Sequence, residues 1–211
     1  MTAPGGATAR LAALVMTSIL VMCTGNICRS PMAEGLLRDG LRARFDDAAP
    51  TVASAGTAGL EGNPAMAESV QAAAELGSDI SAHRARALTR TMPQDADLVI
   101  CMAAEHRDDV IRLANDAAAT TFTLKELVRL LDQLPPVFDG EPDDLVGRVA
   151  EAQAVRSDGF AGNPYDEDVV DPLGMPLESY RAIAWELDQW IGRLLKGLYG
   201  PAAVPEASGE A

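Results

Sequence analysis

The chain has 211 residues and a hydrophobic fraction of 48%, enough to bury a sizeable core in one α/β domain with an excursion. Its 31 acidic residues against 17 basic ones leave a net charge of −14, which excludes a nucleic-acid partner because no basic face is available to neutralise phosphates. It does not exclude binding of a single phosphoryl group, since the local field of a pocket can oppose the global sign.

Residues 1–15 read as a disordered leader ahead of a first strand that begins near Met16. Leu11 to Met22 is apolar, but only Arg10 precedes it as a basic flank, and the run is too short to span a bilayer. The expectation is no signal peptide and no membrane partner. The three cysteines, Cys23, Cys28 and Cys101, are odd in number and have no framework spacing, which points to the reducing cytoplasm. The two histidines, His83 and His106, lie in separate segments, and no Cys/His cluster has zinc spacing, so no metal is expected.

The apolar run from Ser18 to Met22 stops at Cys23, and Arg29 follows six residues later, then Ser30-Pro31 and a helical pattern. This order reads as strand, small-residue loop, helix start. Such a loop can turn its backbone N–H groups inward as an anion nest, with the helix N-terminus adding positive potential. Cys23 at its base has its thiolate stabilised by those donors and by Arg29, whose planar fork matches two phosphate oxygens. The bland alternative for a bare Cys-x5-Arg pair is a buried structural cysteine.

The first helix is predicted over about Pro31 to Phe45, with Ala33, Leu37, Leu41 and Phe45 on one stripe. Thr51 to Gly56 reads as a short strand and Thr57 to Pro64 as a loop. A second helix is predicted from about Ala65 to Leu76, with Gly77 as its C-cap. Ile80 to Leu88 is short and basic, and on chemistry alone is a solvated loop with His83 on the surface. Ala96 to Met102 gives the third strand. A helix from about Ala104 to Asn115 follows, with His106 expected on its wet face and Cys101 in the core. Thr121 to Leu131 reads as a short strand entering a helix, with Thr123 as N-cap and Glu126 completing a capping box.

Strands alternating with helices predict a three-layer α/β fold: a four-stranded parallel sheet in flavodoxin-like order 2-1-3-4, with helices on both faces. Ligands in such sheets bind beyond the carboxyl ends of the strands at the switch point, where Cys23 falls. From about 132 to 168 the chain reads as an acidic insertion, loop except for a helix near Leu145 to Val155, and either a solvated excursion or a lid. Asp168-Val-Val-Asp-Pro-Leu-Gly174 then leads into a last helix over about Leu177 to Lys196, and residues 199–211 read as a disordered tail.

Cys23-Thr-Gly-Asn-Ile-Cys-Arg-Ser-Pro31 resembles the signature of the low-molecular-weight protein tyrosine phosphatases, of bacterial type and close to the protein arginine phosphatase branch. The resemblance covers roughly residues 16–131 and 168–198. It implies hydrolysis of phosphotyrosine in a phosphorylated protein or peptide, with no cofactor. Cys23 would be the nucleophile of a phosphocysteine intermediate, and Arg29 with the backbone of Thr24, Gly25, Asn26, Ile27, Cys28 and Ser30 would hold the phosphoryl oxygens. Asp171, before Pro172, would be the general acid. Ser30 would hydrogen-bond the thiolate, Asn26 would order the loop, and His83 would bond Asn26 and brace it. Cys28, five residues after Cys23 in the same loop, is placed either to resolve an oxidised Cys23 or to serve as a small apolar filler. Ile27 would face the substrate, and Leu173 stands where the family carries an aromatic, with Leu60 opposite as apolar contact. The rival substrate is phosphoarginine, since the arginine phosphatases share Phe122-Thr-Leu-Lys-Glu126 and an Asp-Pro-x-Gly turn, here 171–174. A thioredoxin-linked arsenate reductase would need a second relay cysteine where Asp108 stands. A silent phosphate-binding module would not need Cys23, Arg29 and Asp171 together.

Overall fold

The computed structural model describes residues 17–159 and 166–202. The expected leader, and the tail from 203 onward, lie outside the described residues. Four strands form one parallel sheet: β1 (Ser18–Cys23), β2 (Thr51–Gly56), β3 (Leu98–Cys101) and β4 (Thr121–Thr123), in order β2-β1-β3-β4. This is the flavodoxin-like arrangement expected. The central strand pairs Cys23 with Gly56 on one side and Met22 with Cys101 on the other, so the sheet ends together at its carboxyl edge.

Alternation along β1 divides the core. Ile19 and Val21 join the larger cluster, which holds α1 (Arg29–Phe45), α2 (Ala67–Glu75), α5 (Leu124–Leu131), α6 (Asp144–Ser157) and α7 (Leu177–Tyr199). Leu20 and Met22 join a smaller cluster with Val99, Cys101 and Val110, beneath α3 (Thr91–Asp95) and α4 (Ala104–Leu113). Period-two burial of both faces is what a strand between two helical layers requires.

Several boundaries differ from the expected ones for physical reasons. Helix α1 starts at Arg29 rather than Pro31, which puts Pro31 third in the helix, still within the first turn, where an N–H has no intrahelical acceptor to lose. The shift makes Arg29 and Ser30 part of the helix N-terminus. Helix α3 was not foreseen; it is one short turn containing Pro93, too brief for a periodic signal. Helix α7 runs to Tyr199, not Lys196, and Tyr199 is buried with its ring edge-on to Phe45, so the expected tail boundary at 199 is corrected. Thr123 caps α5 with the reciprocal Glu126 box as expected.

Segment 80–88 is scaffold rather than a solvated loop. Gly56 N–H donates to the Arg86 carbonyl and Leu88 N–H to the Gly56 carbonyl, which extends β2 by one bridge. Gly56 is required there, because a Cβ would collide with the Thr24 carbonyl oxygen.

Candidate active site

The loop from Thr24 to Cys28 joins β1 to α1 and curls over the end of the sheet. Its turn depends on Asn26, the loop's residue at positive φ (56°), a conformation that asparagine tolerates better than most side chains. Asn26 is fully buried and fixed from every side. Its Nδ2 donates to Ser30 Oγ (2.9 Å) and Ser54 Oγ (2.7 Å), and its Oδ1 accepts from the Arg86 amide (2.8 Å). His83 Nε2 lies 2.8 Å from the Asn26 carbonyl, so it donates there, and its Nδ1 is 3.8 Å from Glu34.

Cys23 Sγ sits at the bottom of the loop with 2% of the residue exposed. It accepts the Asn26 amide at 3.3 Å and lies 2.9 Å from Ser30 Oγ. Both contacts suit a sulfur anion. Arg29, in the first turn of α1, is equally buried. Its Nη1 donates to the Val169 carbonyl (3.0 Å), and its Nη2 to Thr24 Oγ1 (3.4 Å) and Asp171 Oδ2 (2.6 Å). Its Nε is buried and has no hydrogen-bond partner.

A cleft of about 200 Å³ opens above this floor, lined by Cys23, Thr24, Gly25, Ile27, Cys28, Arg29, Ala58, Leu60, Asp171 and Leu173. The structure thus brings together most of the residues singled out in the sequence. Asn26 and Ser30 lie beneath the loop and do not line the cleft; their side chains are consumed by the hydrogen bonds just given. Leu60 and Leu173 are half-exposed walls. Asp171 is held by its own turn, with Oδ1 accepting from the Leu173 amide at 3.1 Å.

The acid loop, 166–174, is fastened at several points. Asp168 Oδ1 accepts the Ala104 amide at the start of α4, and the Val169 amide donates to the Met102 carbonyl. Lys125 Nζ reaches the Asp168 carbonyl (2.9 Å), Asp166 (3.1 Å) and Glu186 (2.7 Å), while Arg107 bonds both Glu167 and Glu126 at 3.1 Å. These anchors were missed in the sequence, where the acidic stretch up to 168 reads as a solvated excursion or a lid.

His106 is a correction. It was expected on the wet face of its helix, yet it is 1% exposed, with Nε2 2.9 Å from Thr24 Oγ1. Val110, one turn later, is buried on the same face, so an i, i+4 reading that admitted histidine to the apolar stripe would have found it. Burial, helped by the Arg29 charge, pushes its pKa down to about 4, so the ring is neutral near pH 7. Burial also pushes the Cys28 thiol up to about 11, with Tyr180 Oη 3.9 Å from its sulfur. Cys101 lies in β3 with no exposed surface, and burial pushes its thiol up as well.

A cysteine and a buried arginine framing an anion-sized cleft, at the switch point of a flavodoxin-like sheet, define the class of phosphatases built on a short phosphate-binding loop. The model of the family described as low molecular weight phosphotyrosine protein phosphatase matches residues 18–136, and the chain belongs to that family. The low molecular weight protein-tyrosine-phosphatase Etp of Escherichia coli K12 is 40% identical over 111 residues, which are 53% of this chain and 71% of that one. The protein-arginine-phosphatase of Geobacillus stearothermophilus is 31% identical over 180 residues, 85% of this chain and 95% of that one. Among solved structures, the low molecular weight protein tyrosine phosphatase from T. tengcongensis superposes with a TM-score of 0.64 at 34% identity, over 86% of this chain and 99% of that one.

Proposed function

We propose that this enzyme hydrolyses phosphotyrosine in proteins in two covalent steps. The observation that supports it most is the Arg29 guanidinium, buried beside Cys23 with Nε unpartnered and Nη2 shared with Asp171. A buried donor without an acceptor is costly, and a phosphoryl oxygen supplies one. As the dianion enters, Arg29 turns its fork to the equatorial oxygens, the loop amides bind the rest, and Asp171 is released toward the leaving group.

In the first step the Cys23 thiolate attacks phosphorus, the S–P bond forms and the P–O bond breaks, and a protonated Asp171 gives its proton to the leaving oxygen. In the second, Asp171 takes a proton from water, the water oxygen attacks phosphorus, and the S–P bond breaks. Ser30 Oγ, 2.9 Å from the sulfur, donates to the departing thiolate. Cys23 lines the cleft, so peroxide that enters the cleft can reach and oxidise its sulfur. Cys28 would resolve it slowly, because at neutral pH its own thiol stays protonated. A cytoplasmic location fits three cysteines that are all free, and among the described residues no helix is long and apolar enough to cross a membrane.

Phosphoarginine is the second reading, favoured by the extent of the match to the arginine phosphatase. Ile27 argues for the phenyl ring, since it lines the cleft and offers only apolar contact, which leaves a guanidinium unsatisfied. Initial rates on phosphotyrosine and phosphoarginine peptides, measured side by side, decide between them. A higher kcat/KM for phosphotyrosine is expected, with Cys23→Ser inactive yet still binding phosphate; a higher value for phosphoarginine would overturn the substrate assignment alone.

A further inference from the structure

His106 is a buried titratable group at the site that the two-step reaction leaves unused. We propose that His106 is a positioning residue that aims Arg29 at the phosphoryl group through the hydroxyl of Thr24. The proposal rests on the phosphatase reading, because Arg29 is the group being aimed.

The contacts form a short relay. Arg29 Nη2 donates to Thr24 Oγ1 at 3.4 Å, and His106 Nε2 lies 2.9 Å from the same oxygen. A guanidinium carries only donors, so the Thr24 oxygen accepts from it. The hydroxyl has one proton to place. Sent to His106 Nε2, it makes a complete chain, Arg29 to Thr24 to His106, and leaves the ring proton on Nδ1. The other tautomer gives that oxygen two donors for its two lone pairs and turns the hydroxyl proton away from the ring, toward the cleft that Thr24 lines. The relay therefore fixes which way the Thr24 lone pair points, and with it the inner edge of the guanidinium. Val169 fixes Nη1 in the same manner. Nε, which has no partner, and the Nη2 N–H that Asp171 now holds are then the donors an anion would take.

Two further observations support a role beyond packing. His106 Nδ1 is buried without a partner. A leucine in that place would avoid the orphaned nitrogen, so a histidine is poorly explained by core filling alone. The relay also needs a neutral ring, and burial together with Arg29 keeps it neutral against Asp168, Asp109 and Asp171, which pull the other way. Glu105, whose carboxylate lies 3.5 Å from Nε2, pulls toward a proton on that nitrogen, but it is mostly exposed and solvent screens it.

The test uses the full chain, wild type and variants. With only two histidines present, nitrogen-15 NMR of wild type against His106→Gln assigns the ring directly. The expected neutral tautomer carries its proton on Nδ1; a proton on Nε2 at pH 7 would overturn the proposal. His106→Leu and Thr24→Val should each lower kcat/KM by roughly tenfold, with matching losses in inhibition by inorganic phosphate. The double variant should be no worse than Thr24→Val alone, because both changes cut one relay. His106→Gln, which keeps an acceptor where Nε2 stood, should recover to within about threefold of wild type. Losses that multiply in the double variant, or a folded His106→Leu with wild-type kinetics, would sink the idea. If His106→Leu does not fold, Thr24→Val against His106→Gln and the tautomer still decide it. Absence of phosphomonoester turnover in wild type would instead overturn the phosphatase reading, while the tautomer is read without substrate.

Discussion

Asp171 is committed on both oxygens, one to Arg29 and one to the Leu173 amide. The second bond lies within the turn of Asp171 itself and sets the carboxylate's direction without help from Arg29. Asp171→Asn keeps that geometry but cannot give or take the proton. It should lower the rate on alkyl and weakly acidic aryl phosphates by about two to four powers of ten, the usual range for a general acid. The loss should shrink as the leaving group becomes more acidic; an equal loss across a series of aryl phosphates would remove Asp171 from the acid role. That Cys23, Arg29 and Asp171 line one cleft was legible in the sequence because each sits in a local pattern, a strand end, a helix start and a turn before proline. The contact of His106 with Thr24 was not, because it comes from a helix packing against the loop of a different strand. Its neighbours Glu105, Arg107, Asp108 and Asp109 gave the segment a uniformly polar look.

At the scale of elements, the acid loop is held by one buried lysine as much as by its own turn. Lys125 in α5 ties the loop to α7 through Asp168, Asp166 and Glu186, with its ammonium also over the Trp190 ring. Lys125→Met fills the same volume without the charge. It should lower kcat on phosphotyrosine peptide by roughly tenfold through a looser acid loop. The loss should be much smaller in an Asp171→Asn background, where the loop no longer delivers a proton; equal losses in both backgrounds would show that Lys125 serves stability only. The capping box that starts α5 could be read directly, since Thr123 and Glu126 interact within four residues. The work of Lys125 could not, because its partners lie 41 to 61 residues further along the chain. The insertion was legible as one helix among acidic loops, but not its seat: Arg148 of α6 donates to the Gly197 carbonyl of α7.

At the scale of the whole molecule, a net charge of −14 means that mild acid relieves self-repulsion as carboxylates begin to protonate. That effect alone would favour the compact state as pH falls, so any loss of stability in this range belongs to specific groups. His106 is the clearest. Its pKa is about 4 in the folded chain against an ordinary value near 6.5. Between those values the unfolded chain binds a proton that the folded chain refuses. Stability therefore rises with pH across the window, is complete above about 6.5, and is lost as pH falls toward about 4. The full loss is roughly 3 kcal/mol, a sizeable share of the stability of an ordinary domain. Paired carboxylates such as Asp39, held below the usual range, act lower, so the upper part of the window belongs to the ring. Urea midpoints at pH 7.5 and pH 4.5 should fall further for wild type than for His106→Gln, whose amide does not titrate. Equal falls in the two proteins would mean that His106 is protonated as readily in the fold as in the unfolded chain, and its burial against Thr24 and Arg29 would then be wrong.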